Sequence, residues 1–168
     1  RPEAVKMAPV LRELARHADR CESLLVSTAQ HREMLDQILS VFRLTPDIDL
    51  NTMLPNQTLF DITQRTLDGM KKLLEEIKPD LMLVQGDTTA VFAASLAAFY
   101  LKVPVGHVEA GLRSYDLAHP YPEEMNRRFT DIVATLHFAP TQRSRDNLVR
   151  EGVSPHHVFV TRNTVVDA

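Results

Sequence analysis

Five short, largely apolar runs, separated by stretches of helical periodicity, constrain this chain more than any other feature. They are Leu24-Leu25-Val26, Leu81-Met82-Leu83-Val84, Pro104-Val105-Gly106-His107-Val108, residues 135–138 and Val158-Phe159-Val160. Between them, apolar residues recur every three or four positions. One set is Val5, Met7, Val10, Leu11, Leu14 and Ala15; another is Met34, Leu35, Ile38, Leu39 and Phe42. Leu59, Ile62, Thr66, Leu67, Met70, Leu73 and Leu74 mark the inner face of a long helix over residues 58–77, and Met125, Phe129, Ile132 and Val133 are the apolar positions of a later one. A strand apolar without alternation is covered on both faces, and strand–helix alternation joins parallel strands by crossover helices. The expected fold is therefore α/β: a doubly wound parallel sheet with helices on both faces. Pro2 suits a first helical position, Pro9 falls inside that first helix, and Lys78-Pro79-Asp80 stops the long one. Residues 44–57, with Pro46 and Pro55, and residues 112–121 read as loops.

The 168 residues are 44% hydrophobic and 24% charged, enough for one domain with a real core. Nineteen Lys and Arg face 22 Asp and Glu, a formal net charge of −3, so no basic field for general nucleic-acid binding is present. Cys21 is the only cysteine, which excludes an internal disulfide framework and a cysteine-rich zinc site. The longest uncharged apolar run, residues 90–101, is shorter than the roughly 20 residues that a bilayer requires. No signal-peptide pattern opens the chain, and no metal or membrane partner is expected. The start at Arg1-Pro2-Glu3 and the stop at Asp167-Ala168 both read as cut ends.

In doubly wound sheets ligands bind beyond the carboxyl ends of the strands. No two of the five glycines are two residues apart, so the dinucleotide glycine fingerprint is absent, as are a Walker A loop and a Gly-x-Ser-x-Gly elbow. His107-Val108-Glu109 matches half of a zinc-deaminase signature whose cysteine half is missing. At the strand ends, Asp87 is either an N-cap or a catalytic carboxylate, with Thr88 and Thr89 beside it as caps or phosphate ligands. Glu109 at a strand end calls for a partner or an exposed role, His107 suits a satisfied core histidine, and Arg113 either pairs with Glu109 or binds an anion. Glu123 and Glu124 suit the first turn of a helix and are spaced for ion pairs with Arg127 and Arg128. Gln30-His31-Arg32-Glu33-Met34 is a solvated helix start or an anion or sugar site. Arg1 and Lys6, cations at the amino end of a helix, oppose its dipole, a conflict that phosphate binding would resolve. His119, His137 and His156-His157 show no metal-ligand spacing and take no role.

Taken in order, five segments resemble the non-hydrolysing UDP-N-acetylglucosamine 2-epimerase family. They are residues 1–9, RPEAVKMAP; residues 29–37, AQHREMLDQ; Gly86-Asp87-Thr88-Thr89; residues 106–113, GHVEAGLR; and Pro122-Glu123-Glu124-Met125-Asn126-Arg127. Asn163-Thr164-Val165-Val166-Asp167-Ala168 is similar to the segment that leads into the family's second domain. The resemblance implies the Rossmann-like N-terminal domain of a two-domain, glycosyltransferase-B-type enzyme, with its active site between the domains. It implies reversible epimerisation at carbon 2 of UDP-N-acetylglucosamine to UDP-N-acetylmannosamine, without NAD or another cofactor, by UDP elimination and re-addition. Asp87, Glu109 and Glu123 would be catalytic; Arg1, Lys6 and Arg113 would hold the nucleotide sugar; Gln30, His31 and Met34 would contribute to a second, regulatory UDP-N-acetylglucosamine site. A cytoplasmic homodimer that supplies cell-surface polysaccharide precursors is the accompanying expectation. The other readings are a hydrolysing relative and a non-catalytic UDP-sugar-binding module. Three departures follow from the same comparison: the family's first strand is missing before Arg1, its C-terminal domain is absent so that the chain alone is expected to be inactive, and Arg162 stands where a glycine is expected.

Overall fold

The computed structural model describes residues 3–28, 40–52 and 54–167. Two compact units emerge: Arg1–Asn56 with Asn163–Ala168, and Gln57–Arg162.

In the first unit, helix α1 (Glu3–Arg16) carries Pro9 within it. Strands β1 (Val26–Ser27) and β2 (Ile48–Asp49) pair in parallel, Val26 opposite Ile48 and Ser27 opposite Asp49. Strand β2 falls in the segment expected to be loop. Its one apolar residue, Ile48, lies between Asp47 and Asp49, so no apolar run announces it. What builds it is non-local: the Leu25 N–H donates to the Asp47 carboxylate at 2.7 Å, and the Thr52 hydroxyl donates to the Thr28 carbonyl at 2.6 Å. The short 3₁₀ segment Thr164–Asp167 is tied to α1 by the Thr164 hydroxyl on the Lys6 carbonyl at 2.7 Å. The helix expected after Thr28 lies mostly outside the described residues; residues 40–42 are helical.

The second unit holds four parallel strands, β3 (Met82–Gln85), β4 (Val105–Val108), β5 (Leu136–Ala139) and β6 (Val158–Val160), each within one residue of its expected position. They lie in chain order, with Val84, His107, His137 and Val158 in one row across the sheet. Helices α2 (Leu59–Ile77), α3 (Thr89–Tyr100), α4 (Glu123–Val133) and α5 (Gln142–Arg150) accompany them. Thr58 and Asp61 close a capping box on α2, and Lys78 ends it in the left-handed conformation at φ 50°. Helix α3 buries Ala90, Ala93, Ala94, Ala97 and Ala98, small side chains that let it pack closely between α2 and α4. Ala110, Ala139, Leu148 and Val158 form a compact apolar cluster beneath α5. No described helix is long and apolar enough to cross a membrane.

The apolar positions of helix α4 do not mark its buried face. Its buried residues are Glu124, Asn126, Arg127, Thr130 and Asp131, whereas Phe129 is 49% and Ile132 75% exposed. The polar side of this helix faces inward because buried partners wait for it there, and the apolar side turns away from the sheet, where Phe129 meets Phe92 of α3 edge-on at 5.5 Å between ring centroids.

Arg162 sits at φ 63°, the left-handed conformation in which a Cβ is disfavoured. We predict that Arg162→Gly raises stability by up to about 1 kcal/mol in chemical denaturation; a destabilised variant would show that the side chain's contacts outweigh the strain.

Candidate functional site

The carboxyl ends of β3 and β4 and the first turn of α4 bring together the sequence-predicted residues of the second unit. After β3 the chain turns through Gly86 and Asp87. Thr88, not Asp87, caps α3: its hydroxyl accepts the Val91 N–H at 3.3 Å. Asp87 is thereby released from the capping role. Its carboxylate lies 3.5 Å from Arg127 Nη1, and its carbonyl accepts the Asn126 side-chain amide at 3.0 Å. Two residues of α4 therefore grip this turn, and Glu123 is the residue that opens the same helix.

Glu109 immediately follows β4 and is half-buried. Its backbone stands at φ 69°, a strained conformation for a non-glycine residue. Its N–H donates to the Phe138 carbonyl at 3.0 Å, and its Oε2 accepts the Gln85 amide at 2.7 Å. His107 lies within β4 and is buried, whereas Glu109 lies just past the strand's end, where the backbone has left the extended conformation.

Glu124 takes a structural role. It is wholly buried, accepts the Ser114 and Tyr115 N–H groups at 3.0 Å each, and lies 2.8 Å from Arg127 Nε. It thus pairs three residues along the helix, with Arg127, rather than four along with Arg128. Burial alone would raise its pKa; the two backbone donors and Arg127 outweigh burial and hold it below the ordinary carboxylate range. Glu124 anchors the loop after Gly111, leaving its neighbour Glu123 as the candidate functional carboxylate of that turn.

Beneath the site lies a buried charged network. His107 is fully buried, with Nδ1 2.6 Å from Asp131 Oδ1 and Nε2 2.8 Å from the Gly86 carbonyl. Both ring nitrogens face acceptor oxygens, an arrangement that favours the doubly protonated imidazolium. Burial would lower its pKa, but Asp131 and the Gly86 carbonyl outweigh burial and move it upward. Asp131 is likewise penalised by burial, yet His107 and Arg113 hold its pKa below the usual range. Asp131 Oδ2 also accepts the Gly111 N–H at 3.2 Å and meets Arg113 Nη1 at 2.8 Å.

Arg113 corrects the expectation of a substrate ligand and that of a Glu109 partner. Its side chain has no exposed surface and is spent on Asp131, on Glu151 through Nε at 2.9 Å and Nη2 at 2.8 Å, and on the Leu112 carbonyl. It is a buried strut. Gly111 completes the junction at φ 84°: a Cβ there would collide with the Ser144 backbone, and Asn147 donates to its carbonyl at 3.0 Å.

Lys6 belongs to the first unit, on α1, and is half-buried. Arg1, Gln30, His31 and Met34 lie outside the described residues. Sequence reasoning passed over Gln85, Asn126, Asp131 and Glu151 as site-building residues. The available signal was the polar spacing of Glu124, Arg127 and Asp131, one helical face at three- and four-residue steps. Among the described residues no group of three or more His, Cys, Asp or Glu side chains is arranged to hold a metal ion.

Comparison with known proteins gives one consistent result. The family model for UDP-N-acetylglucosamine 2-epimerase matches residues 12–168. The UDP-N-acetylglucosamine 2-epimerase of Neisseria meningitidis is 56% identical over 100% of this chain, which spans 45% of that protein. That of Escherichia coli K12 is also 56% identical, and the chain spans 44% of it. A crystal structure of UDP-GlcNAc 2-epimerase from Neisseria meningitidis bound to UDP-GlcNAc matches 99% of this chain and 45% of its own, with a TM-score of 0.94 at 55% identity. One from Methanocaldococcus jannaschii, in complex with UDP-GlcNAc and UDP, gives 0.92 at 38% identity, again over 99% of this chain and 45% of its own. The chain thus spans less than half the length of these relatives.

The buried pair makes stability depend on pH in a defined way. Asp131, with a depressed pKa, contributes stability that is present above about pH 4 and lost as pH falls through its folded pKa. His107, with a raised pKa, contributes stability that is complete below about pH 6.5 and lost as pH rises through its folded pKa. The gap in melting temperature between wild type and His107→Gln is therefore predicted to be widest near pH 5–6 and to close in alkali; a gap that ignores pH would refute the charged pair.

Proposed function

The chain belongs to the UDP-N-acetylglucosamine 2-epimerase family, and from that premise we propose that the complete protein interconverts UDP-N-acetylglucosamine and UDP-N-acetylmannosamine. The observation that carries the reading is the convergence of two strand ends and one helix start on a small set of carboxylates: Glu109 after β4, Asp87 after β3, and Glu123 on the α4 turn whose Asn126 and Arg127 hold Asp87.

The chemistry asks for such a set. The proton at carbon 2 of the sugar is only weakly acidic, so cleavage of the bond between carbon 1 and the diphosphate leads and leaves oxocarbenium character. A carboxylate beside that centre stabilises the charge. A second takes the carbon-2 proton as the 2-acetamidoglucal forms, and a proton returns to the opposite face of carbon 2 as UDP adds back to carbon 1. Asp87, Glu109 and Glu123 are assigned these duties. The departing diphosphate must be held close for re-addition; Lys6 and Arg1 supply cations for that, and Arg113, committed to Asp131 and Glu151, serves from below by fixing the turn after Glu109. Gln30, His31 and Met34 are assigned to a second, regulatory nucleotide-sugar site.

The same reading makes the protein a cytoplasmic homodimer that supplies cell-surface polysaccharide precursors. Phe92 of α3 meets Phe129 of α4, and both helices carry exposed apolar side chains of the kind that two copies cover. Phe99 is 55% and Ile132 75% exposed.

Two measurements test this. With the complete protein, proton NMR shows UDP-N-acetylmannosamine growing from UDP-N-acetylglucosamine, and Glu109→Gln lowers kcat by about 10²- to 10⁴-fold; release of free N-acetylmannosamine would make the enzyme hydrolysing, and an unaffected variant would remove Glu109 from the chemistry. By sedimentation, Ile132→Asp converts dimer to monomer; an unchanged mass would place the interface elsewhere.

A further inference from the structure

The carboxamide of Gln85 is only half satisfied beside the candidate carboxylates. Gln85 closes β3, is 5% exposed, and donates its Nε2 to Glu109 Oε2 at 2.7 Å. Its own oxygen, Oε1, is buried without a hydrogen-bond partner. A half-satisfied buried amide is a poor structural choice: an orphaned acceptor costs about 1–3 kcal/mol, and an apolar side chain of similar volume avoids that cost. The amide cannot be turned to relieve it, because Oε1 would then face the Glu109 carboxylate, oxygen against oxygen. Glu109 is itself held at φ 69°, so the carboxylate and its partner both depart from what folding alone favours. Departures of this kind concentrate where function sets the terms. Asn126 repeats the pattern: its Nδ2 is spent on the Asp87 carbonyl and the Thr89 hydroxyl, while its Oδ1 is buried and unpartnered.

We propose that Gln85 is a positioning residue for the epimerisation, its carboxamide N–H fixing the Glu109 carboxylate in the orientation that the reaction uses. The inference rests on the reading of Glu109 as catalytic. Gln85 is not assigned any contact with the substrate. It acts through Glu109, by fixing the orientation of its carboxylate through the Nε2–Oε2 hydrogen bond. Misplacement of a reacting group by an ångström or so is worth up to about 10²-fold in rate.

The test uses the complete protein and four variants: Gln85→Met, Gln85→Leu, Glu109→Gln and Gln85→Met with Glu109→Gln. The expected result for Gln85→Met is a kcat lowered about 10- to 100-fold, a KM within about twofold of wild type, and a melting temperature equal to or above wild type. Gln85→Leu gives the same comparison if the longer thioether packs badly. In the Glu109→Gln background, Gln85→Met produces no further loss of residual turnover, since its only route of action is gone. Full activity of both Gln85 variants, or an equal further loss in the double variant, overturns the inference while leaving Glu109 in place. An active Glu109→Gln enzyme overturns the underlying reading instead, so the two failures are told apart.

Discussion

The carboxylate of Asp131 is the constraint on which the second unit's arrangement depends. It is buried between His107 and Arg113, and it also receives the Gly111 N–H. His107 extends the reach of that charge to the Gly86 carbonyl. One carboxylate on α4 thereby fixes the turn after β3, the turn after β4 and the helix that carries Glu123. A buried ion pair is weak evidence of stability, since an apolar replacement often does as well; removing one member alone leaves an uncompensated charge and costs about 3–5 kcal/mol. Its use here is to place two strand ends and a helix start in one geometry, a demand for specificity that hydrophobic packing alone does not meet.

Backbone strain and unsatisfied polar groups are also present at the strand ends above this network. Glu109 stands at φ 69°, and Gln85 and Asn126 each bury an unpartnered oxygen. Beneath, the unit is conventional: a capping box on α2, small alanine side chains along α3, and an apolar cluster under α5. The regular parts supply the stability, and the irregular parts sit at the strand ends where ligands bind in sheets of this kind.

The strands of the second unit were legible because they are buried apolar runs bounded by proline, glycine and charged residues. Strand β2 was not, because Ile48 stands alone between two aspartates and its pairing depends on Val26, far away in sequence. The inward face of α4 is not legible either, for a related reason. Apolar periodicity marks the inner face only when that face meets an apolar neighbour, and here it meets His107 and His137. Arg113 was misassigned in the same way: a lone arginine near a strand end reads as an anion ligand until Asp131 and Glu151 are seen around it. Asp87, Glu109 and Glu123 could be named by resemblance, whereas the residues that hold them appear only when the chain is folded. At Arg162, where a glycine is expected, the backbone stands at φ 63°, a conformation that glycine adopts without strain.

The candidate carboxylates are borne by a charged, buried clamp in which the charge state of His107 is decisive. A long-range proton–nitrogen correlation spectrum of histidine-labelled protein at neutral pH reads this directly. Both ring nitrogens of His107 are predicted to carry protons, as donors to Asp131 and to the Gly86 carbonyl. A neutral ring with one unprotonated nitrogen would contradict the charged His107–Asp131 pair.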